Sequence, residues 1–141
     1  MVKGIAHIGI AVRDLEASKA LFQKLFGKAP DRDENLPEHK VKTAMFDLGE
    51  SHVELTESLD PDSPIARFLE KRGEGVHHVS FEVADIEREL ARLKQLGFQL
   101  IDETPRPGAD GCLVAFLHPK STNGVLVEIS QKKSTSSPKQ G

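Results

Sequence analysis

The chain has 141 residues, 29% of them charged and 38% apolar, the length and mix of one ordinary globular domain rather than of a fibrous or disordered polymer. A formal net charge of −3, with no basic block ahead of the tail, argues against nucleic acid or an anionic membrane as partner, and the single Cys112 excludes an internal disulfide framework. No run approaches the roughly 20 apolar residues of a membrane helix, and the opening MVKGIAHIGIAV lacks the apolar stretch of a signal peptide, so a cytoplasmic protein is expected.

The elements follow in chain order. Residues 5–12 (IAHIGIAV) are β-branched and small, a strand, and Asp14 then offers a helix N-cap. The helix turns Leu15, Leu21, Phe22, Leu25 and Phe26 toward a core and stops at Gly27, the residue best suited to a left-handed terminator. Residues 32–37 read as strand or loop, and 40–48 and 51–57 read as strands. A short linking helix over 62–73 has Ser63 as cap, Pro64 at its first position and Gly73 at its end. The strand VHHVSFEV (76–83) leads to a helix capped by Asp85, with Ile86, Leu90, Leu93 and Leu96 inward and Gly97 as terminator. Strands are expected at 99–103, 112–117 and 124–130, and residues 132–141, polar and rich in Ser and Lys, as a disordered tail.

This order repeats. Laying residues 5–16 over 76–87 puts His7 on His78, Val12 on Val83, Asp14 on Asp85 and Glu16 on Glu87, and HVEL (52–55) over LVEI (126–129) puts Glu54 on Glu128. Five matches in order indicate a duplication. The expected architecture is therefore α+β: two βαβββ modules, 1–58 and 75–131, joined by the linking helix. Strand alternation places Ile8, Ile10 and Val12 on a helix-covered face, with His7, Gly9 and Ala11 opposite; it likewise separates His78, Ser80 and Glu82 from His77, Val79 and Phe81. His7, Glu54, His78 and Glu128 all fall on faces opposite the packed core, where a duplication brings two imidazoles and two carboxylates together. That donor set suits a borderline divalent ion such as cobalt, nickel, manganese, zinc or iron, and leaves positions open for substrate oxygens. A lone strand histidine is more often a structural residue than a ligand; paired recurrence of both residue types is what favours a metal. His77 points toward the core side, His52 shares the face of Glu54, and symmetry supports neither His39 nor His118.

The HIGIAV, HHVSFEV and GVLVEI stretches resemble the vicinal oxygen chelate superfamily, and LPEHKV (36–41), DSPIARFL (62–69) and FLHPKSTNGVLVEI (116–129) look like its methylmalonyl-CoA epimerase family in particular. The resemblance runs from Ile5 to about Gln131. It implies a curved mixed sheet around a central metal cleft, with His7, His78 and Glu128 as ligands and Glu54 as the fourth, a position that is Gln in some members. It further implies cobalt or a similar ion (manganese, nickel, zinc), a homodimer, and interconversion of (R)- and (S)-methylmalonyl-CoA through an enolate, a reaction of propionate metabolism. It also suggests Glu38 as base for the α-proton; Glu128 is the second catalytic candidate. The basic HPKSTNG turn offers Lys120 and Ser121 to the acyl-CoA. Rival readings within the fold are a glyoxalase I-type lactoylglutathione lyase with the same ligands and a non-catalytic drug-binding protein, which commonly lacks them.

Overall fold

The computed structural model describes residues 1–133. The elements are β1 (Val2–Ala11), α1 (Leu15–Phe26), β2 (Arg32–Leu36), β3 (Val41–Leu48), β4 (Ser51–Ser58), α2 (Pro64–Arg72), β5 (Gly75–Val83), α3 (Ile86–Gln95), β6 (Arg106–Pro107), β7 (Leu113–Leu117) and β8 (Val127–Gln131). The class is α+β, as expected. No helix among the described residues is long and apolar enough to cross a membrane. The tail expected to be disordered lies, from residue 134 on, outside the described residues.

The chain divides into two compact units, one of residues 5–80 and the other of residues 1–4 with 81 onward. The linking helix α2 and residues 75–80 of β5 thus belong with the first module. In the unit of residues 5–80 the strand order is β2-β3-β4-β1-β5. Strand β4 runs antiparallel to β3 and parallel to β1, which places Glu54 opposite Met45 on one side and Gly9 on the other. Of the stretch 32–37, which the sequence leaves as strand or loop, residues 32–36 form β2, paired antiparallel to β3 with Glu34 opposite Thr43, and Pro37 opens the turn that follows.

Helix α1 begins where the Asp14 carboxylate accepts the Ala17 amide and ends at left-handed Gly27. It packs Leu15, Phe22 and Phe26 onto Val12, Ala44, Phe46 and Leu55. Leu21 and Leu25, expected to face this core, are exposed. The reason is angular: each precedes a phenylalanine by one residue, about 100° around the helix, and only the Leu15–Phe22–Phe26 stripe meets the sheet. Helix α2, capped by Ser63, covers the opposite face with Ile65 and Leu69 against Ala11 and Val41. Both faces of this sheet are therefore packed at the β1–β3 end.

In the other unit β8, β7 and β6 are neighbours in that order, with β7 antiparallel to both flanking strands. Helix α3, capped by Asp85, packs Ile86, Leu90 and Leu93 against Ala115, Leu117 and Ile129. The helix ends at Gln95, so Leu96 leaves the stripe and is exposed rather than in the core. The strand expected at 99–103 does not form; a single bridge, Leu100 to Leu117, remains. The Asp102 carboxylate accepts the Phe116 amide, while the Phe116 carbonyl accepts both Ile101 and Asp102 amides, so a side chain replaces the ladder. The two-residue β6 pairs with β7 instead.

Candidate metal centre

Three sequence-predicted ligands converge within the unit of residues 5–80. His7 stands on β1, Glu54 on β4 and His78 on β5, all buried. His7 Nε2 lies 2.9 Å from His78 Nε2, and the Glu54 Oε1 atom lies 3.7 Å from His7 Nε2 and 3.8 Å from His78 Nε2. A point about 2 Å from all three atoms exists inside that triangle, the bond length that imidazole nitrogen and carboxylate oxygen form to zinc. Both carboxylate separations exceed a hydrogen bond. The two imidazole nitrogens are within hydrogen-bond distance of each other while the carboxylate stands clear of both, and the set of two nitrogens and one oxygen fits a borderline divalent metal.

Glycine makes the approach possible. A Cβ at Gly9 would meet His78 Cε1 at 2.1 Å and both ring nitrogens within 2.6 Å, so the imidazole lies directly over the β1 backbone. The residue alternating with His7 is thus absent as a side chain, and the His78 imidazole occupies its place.

Burial sets the protonation of the cluster. It lowers the His7 pKa to about 4, assisted by neighbouring His52, and holds His78 well below the ordinary histidine range, assisted by His7, His77 and His39. It raises Glu54 to about 7; the Thr56 hydroxyl, which donates to Glu54 Oε1 at 3.4 Å, and the charge of His39 oppose the rise, and Glu34 adds to it. Neutral imidazoles are the form that ligates, and a carboxyl held protonated by burial ionises when a cation supplies the missing partner.

Glu128 is buried on β8, opposite Phe116, in the other compact unit. Glu38 is exposed on the 3-10 turn Pro37–His39 that joins β2 to β3. From that turn it is His39 whose field reaches Glu54 and His78, a neighbour that symmetry did not single out. The signal for it was the hairpin: once 32–36 is a strand paired to β3, its turn must sit beside the face carrying Thr43, Thr56 and Glu54. Of the other histidines, His52 pairs with Asp47 at 2.7 Å, and His118 Nδ1 accepts the Lys120 amide. His77 is half-buried, its Nδ1 3.0 Å from His78 Nδ1, and burial lowers its pKa to about 4. Lys120 is exposed on the turn Pro119–Ser121, where the Ser121 hydroxyl accepts the Gln99 amide at 2.7 Å.

Comparison with known proteins adds to this geometry. Residues 6–116 match the model of the glyoxalase/bleomycin resistance protein/dioxygenase superfamily. The chain is 40% identical over 133 residues to the ethylmalonyl-CoA/methylmalonyl-CoA epimerase of Cereibacter sphaeroides, covering 93% of this chain and 99% of that protein. It is 40% identical over 126 residues to the mitochondrial methylmalonyl-CoA epimerase of Homo sapiens, covering 89% of this chain and 72% of that one. Among solved structures, a methylmalonyl-CoA epimerase in complex with methylmalonyl-CoA and ammonium superposes with a TM-score of 0.93 at 34% identity, over 98% of this chain and all of that one.

Proposed function

The chain belongs to the glyoxalase/bleomycin resistance protein/dioxygenase superfamily, and within it we propose that the protein is an epimerase interconverting (R)- and (S)-methylmalonyl-CoA. The observation that carries the reading is the buried His7–Glu54–His78 triad in a chain 40% identical, over nearly its whole length, to a protein of that activity.

His7, Glu54 and His78 would hold the metal, with Glu128 as the fourth ligand. Bound there, a divalent ion supplies Lewis-acid stabilisation of the negative charge that builds on the thioester oxygen; cobalt is our first choice, then manganese, nickel or zinc. Inversion needs a proton taken from one face of the α-carbon and one returned to the other. When the Cα–H bond breaks, its electron pair moves into the thioester carbonyl to form the enolate, and the proton passes to a carboxylate. We assign that base to Glu38, on the turn that leads into β3, whose Met45 stands opposite Glu54. Glu128 is assigned the opposite face. Lys120 is placed against the phosphates of the acyl-CoA, and Ser121 supports the turn that presents it. A homodimer in a reducing, cytoplasmic compartment completes the reading; the free thiol of Cys112 fits such a compartment.

The test is deuterium exchange at the α-carbon of methylmalonyl-CoA in heavy water, with cobalt-loaded protein and its Glu38→Gln variant. Metal-dependent exchange with inversion, lost in the variant, is expected. Exchange that survives the variant moves the base elsewhere, and no exchange at all sinks the reading. Ethylmalonyl-CoA belongs in the same assay, because the Cereibacter relative carries both substrates in its name.

A further inference from the structure

We propose that His77 is a positioning residue: it fixes the tautomer and aim of the His78 imidazole so that the Nε2 lone pair of His78 faces the His7–Glu54 gap. The inference rests on the metal centre proposed above and extends it to a residue that makes no contact with the ion.

His78 is held at three places. Its Nε2 meets His7 Nε2 at 2.9 Å, its ring lies over the bare backbone of Gly9, and its Nδ1 lies 3.0 Å from His77 Nδ1. A neutral imidazole carries one N–H and ligates through the other nitrogen. For Nε2 to offer a lone pair, the His78 proton must sit on Nδ1, and the atom placed to accept it is His77 Nδ1. His77 then carries its own proton on Nε2. The reverse arrangement, with His77 donating, leaves the His78 proton on Nε2, aimed into the gap, where it blocks an ion. Ligating histidines are commonly oriented by a hydrogen bond to the other ring nitrogen; here a second imidazole provides it.

His77 is itself held. Successive strand side chains ordinarily leave from opposite faces, yet the two rings meet edge to face with centroids 5.2 Å apart. The His77 ring also stands edge-on to Phe68 of α2 at 5.0 Å, with the Arg72 guanidinium over the same Phe68 ring at 5.8 Å. The linking helix thus acts on the ligand through Phe68 and His77. The duplication sharpens the point. The position matching His77 in the first strand is Ala6, so the second imidazole belongs to one of the two strands.

The experiment compares wild type with His77→Phe, which keeps a ring against Phe68 and removes the acceptor, and with His77→Asn, whose amide oxygen restores an acceptor near the Nδ1 position. Two quantities are read: the affinity for cobalt(II) and zinc(II) by titration calorimetry, and the His78 tautomer in metal-free protein by long-range proton–nitrogen correlation NMR. We expect the Nδ1–H tautomer in wild type. In His77→Phe we expect mixed tautomers and about 10–100-fold weaker metal binding, with most of both recovered in His77→Asn. A His77→Phe protein that binds metal as tightly as wild type with an unchanged tautomer overturns the proposal. So does a wild-type His78 protonated on Nε2, a result that stands even if the phenylalanine variant does not fold. Wild type that takes up neither metal sinks the metal centre instead, and the metal-free tautomer still decides the role of His77.

Discussion

At position 9 a single hydrogen in place of a side chain decides whether the His78 imidazole has somewhere to lie. Gly9→Ala forces a methyl into that ring, and its expected cost is about 1–3 kcal/mol of stability together with displacement of the His78 imidazole; denaturant titration and metal calorimetry on the same variant read both. Glu54 carries the pH dependence with the clearest sign. Its folded pKa is raised to about 7 from the ordinary 4.5, so the folded state binds more protons in that window, and its contribution is present below about 4.5 and lost as pH rises through 7. His7 and His77, depressed to about 4, act oppositely, contributing above about 6.5 and losing that contribution as pH falls through 4. In metal-free protein, Glu54→Gln should therefore gain stability relative to wild type as pH rises from 4.5 to 7, measured by urea unfolding at several pH values; an advantage that does not grow would show that burial of Glu54 is relieved in solution. The residue types of this cluster were legible from the repeat, but their protonation was not, because it depends on how completely each is removed from water.

Element boundaries follow from local chemistry where local chemistry is strong. Asp14, Ser63 and Asp85 each accept an amide of the first helical turn, as the sequence indicates, and the helices begin where those caps stand. The inward face is harder to read, since one helix can present leucines on two neighbouring stripes and only the packing partner selects between them. Phe46→Ala, at a fully buried site, is expected to cost about 3–5 kcal/mol, whereas Leu25→Ala on the exposed stripe should cost less than about 0.5 kcal/mol; denaturation midpoints separate the two. The missing strand at 99–103 is the same lesson in a sheet. Its apolar residues suit a strand, but the Asp102 carboxylate competes for the Phe116 amide and wins locally.

For the whole molecule, an ion held at the proposed centre would couple binding to folding, because no such site persists in an unfolded chain. Cobalt or zinc at 100 times its dissociation constant should stabilise the fold by about 2.7 kcal/mol, removed by a chelator and absent in His7→Ala; thermal unfolding with and without metal measures it. By itself the sequence determined the α+β class, the duplication, the helix caps and which residues face away from the helix-packed core, since all of these are written in spacings of a few residues. Tertiary structure alone decided which of those residues become neighbours. His7 and His78 are 71 positions apart and meet because β1 lies beside β5, while Glu54 joins them because β4 pairs with β1 in a register that sets it opposite Gly9. The same pairing logic brings the field of His39 to the cluster and leaves Glu38 at the surface of its turn. Alternation along a strand specifies a face, but only register and strand order, set by contacts between distant segments, specify what that face meets.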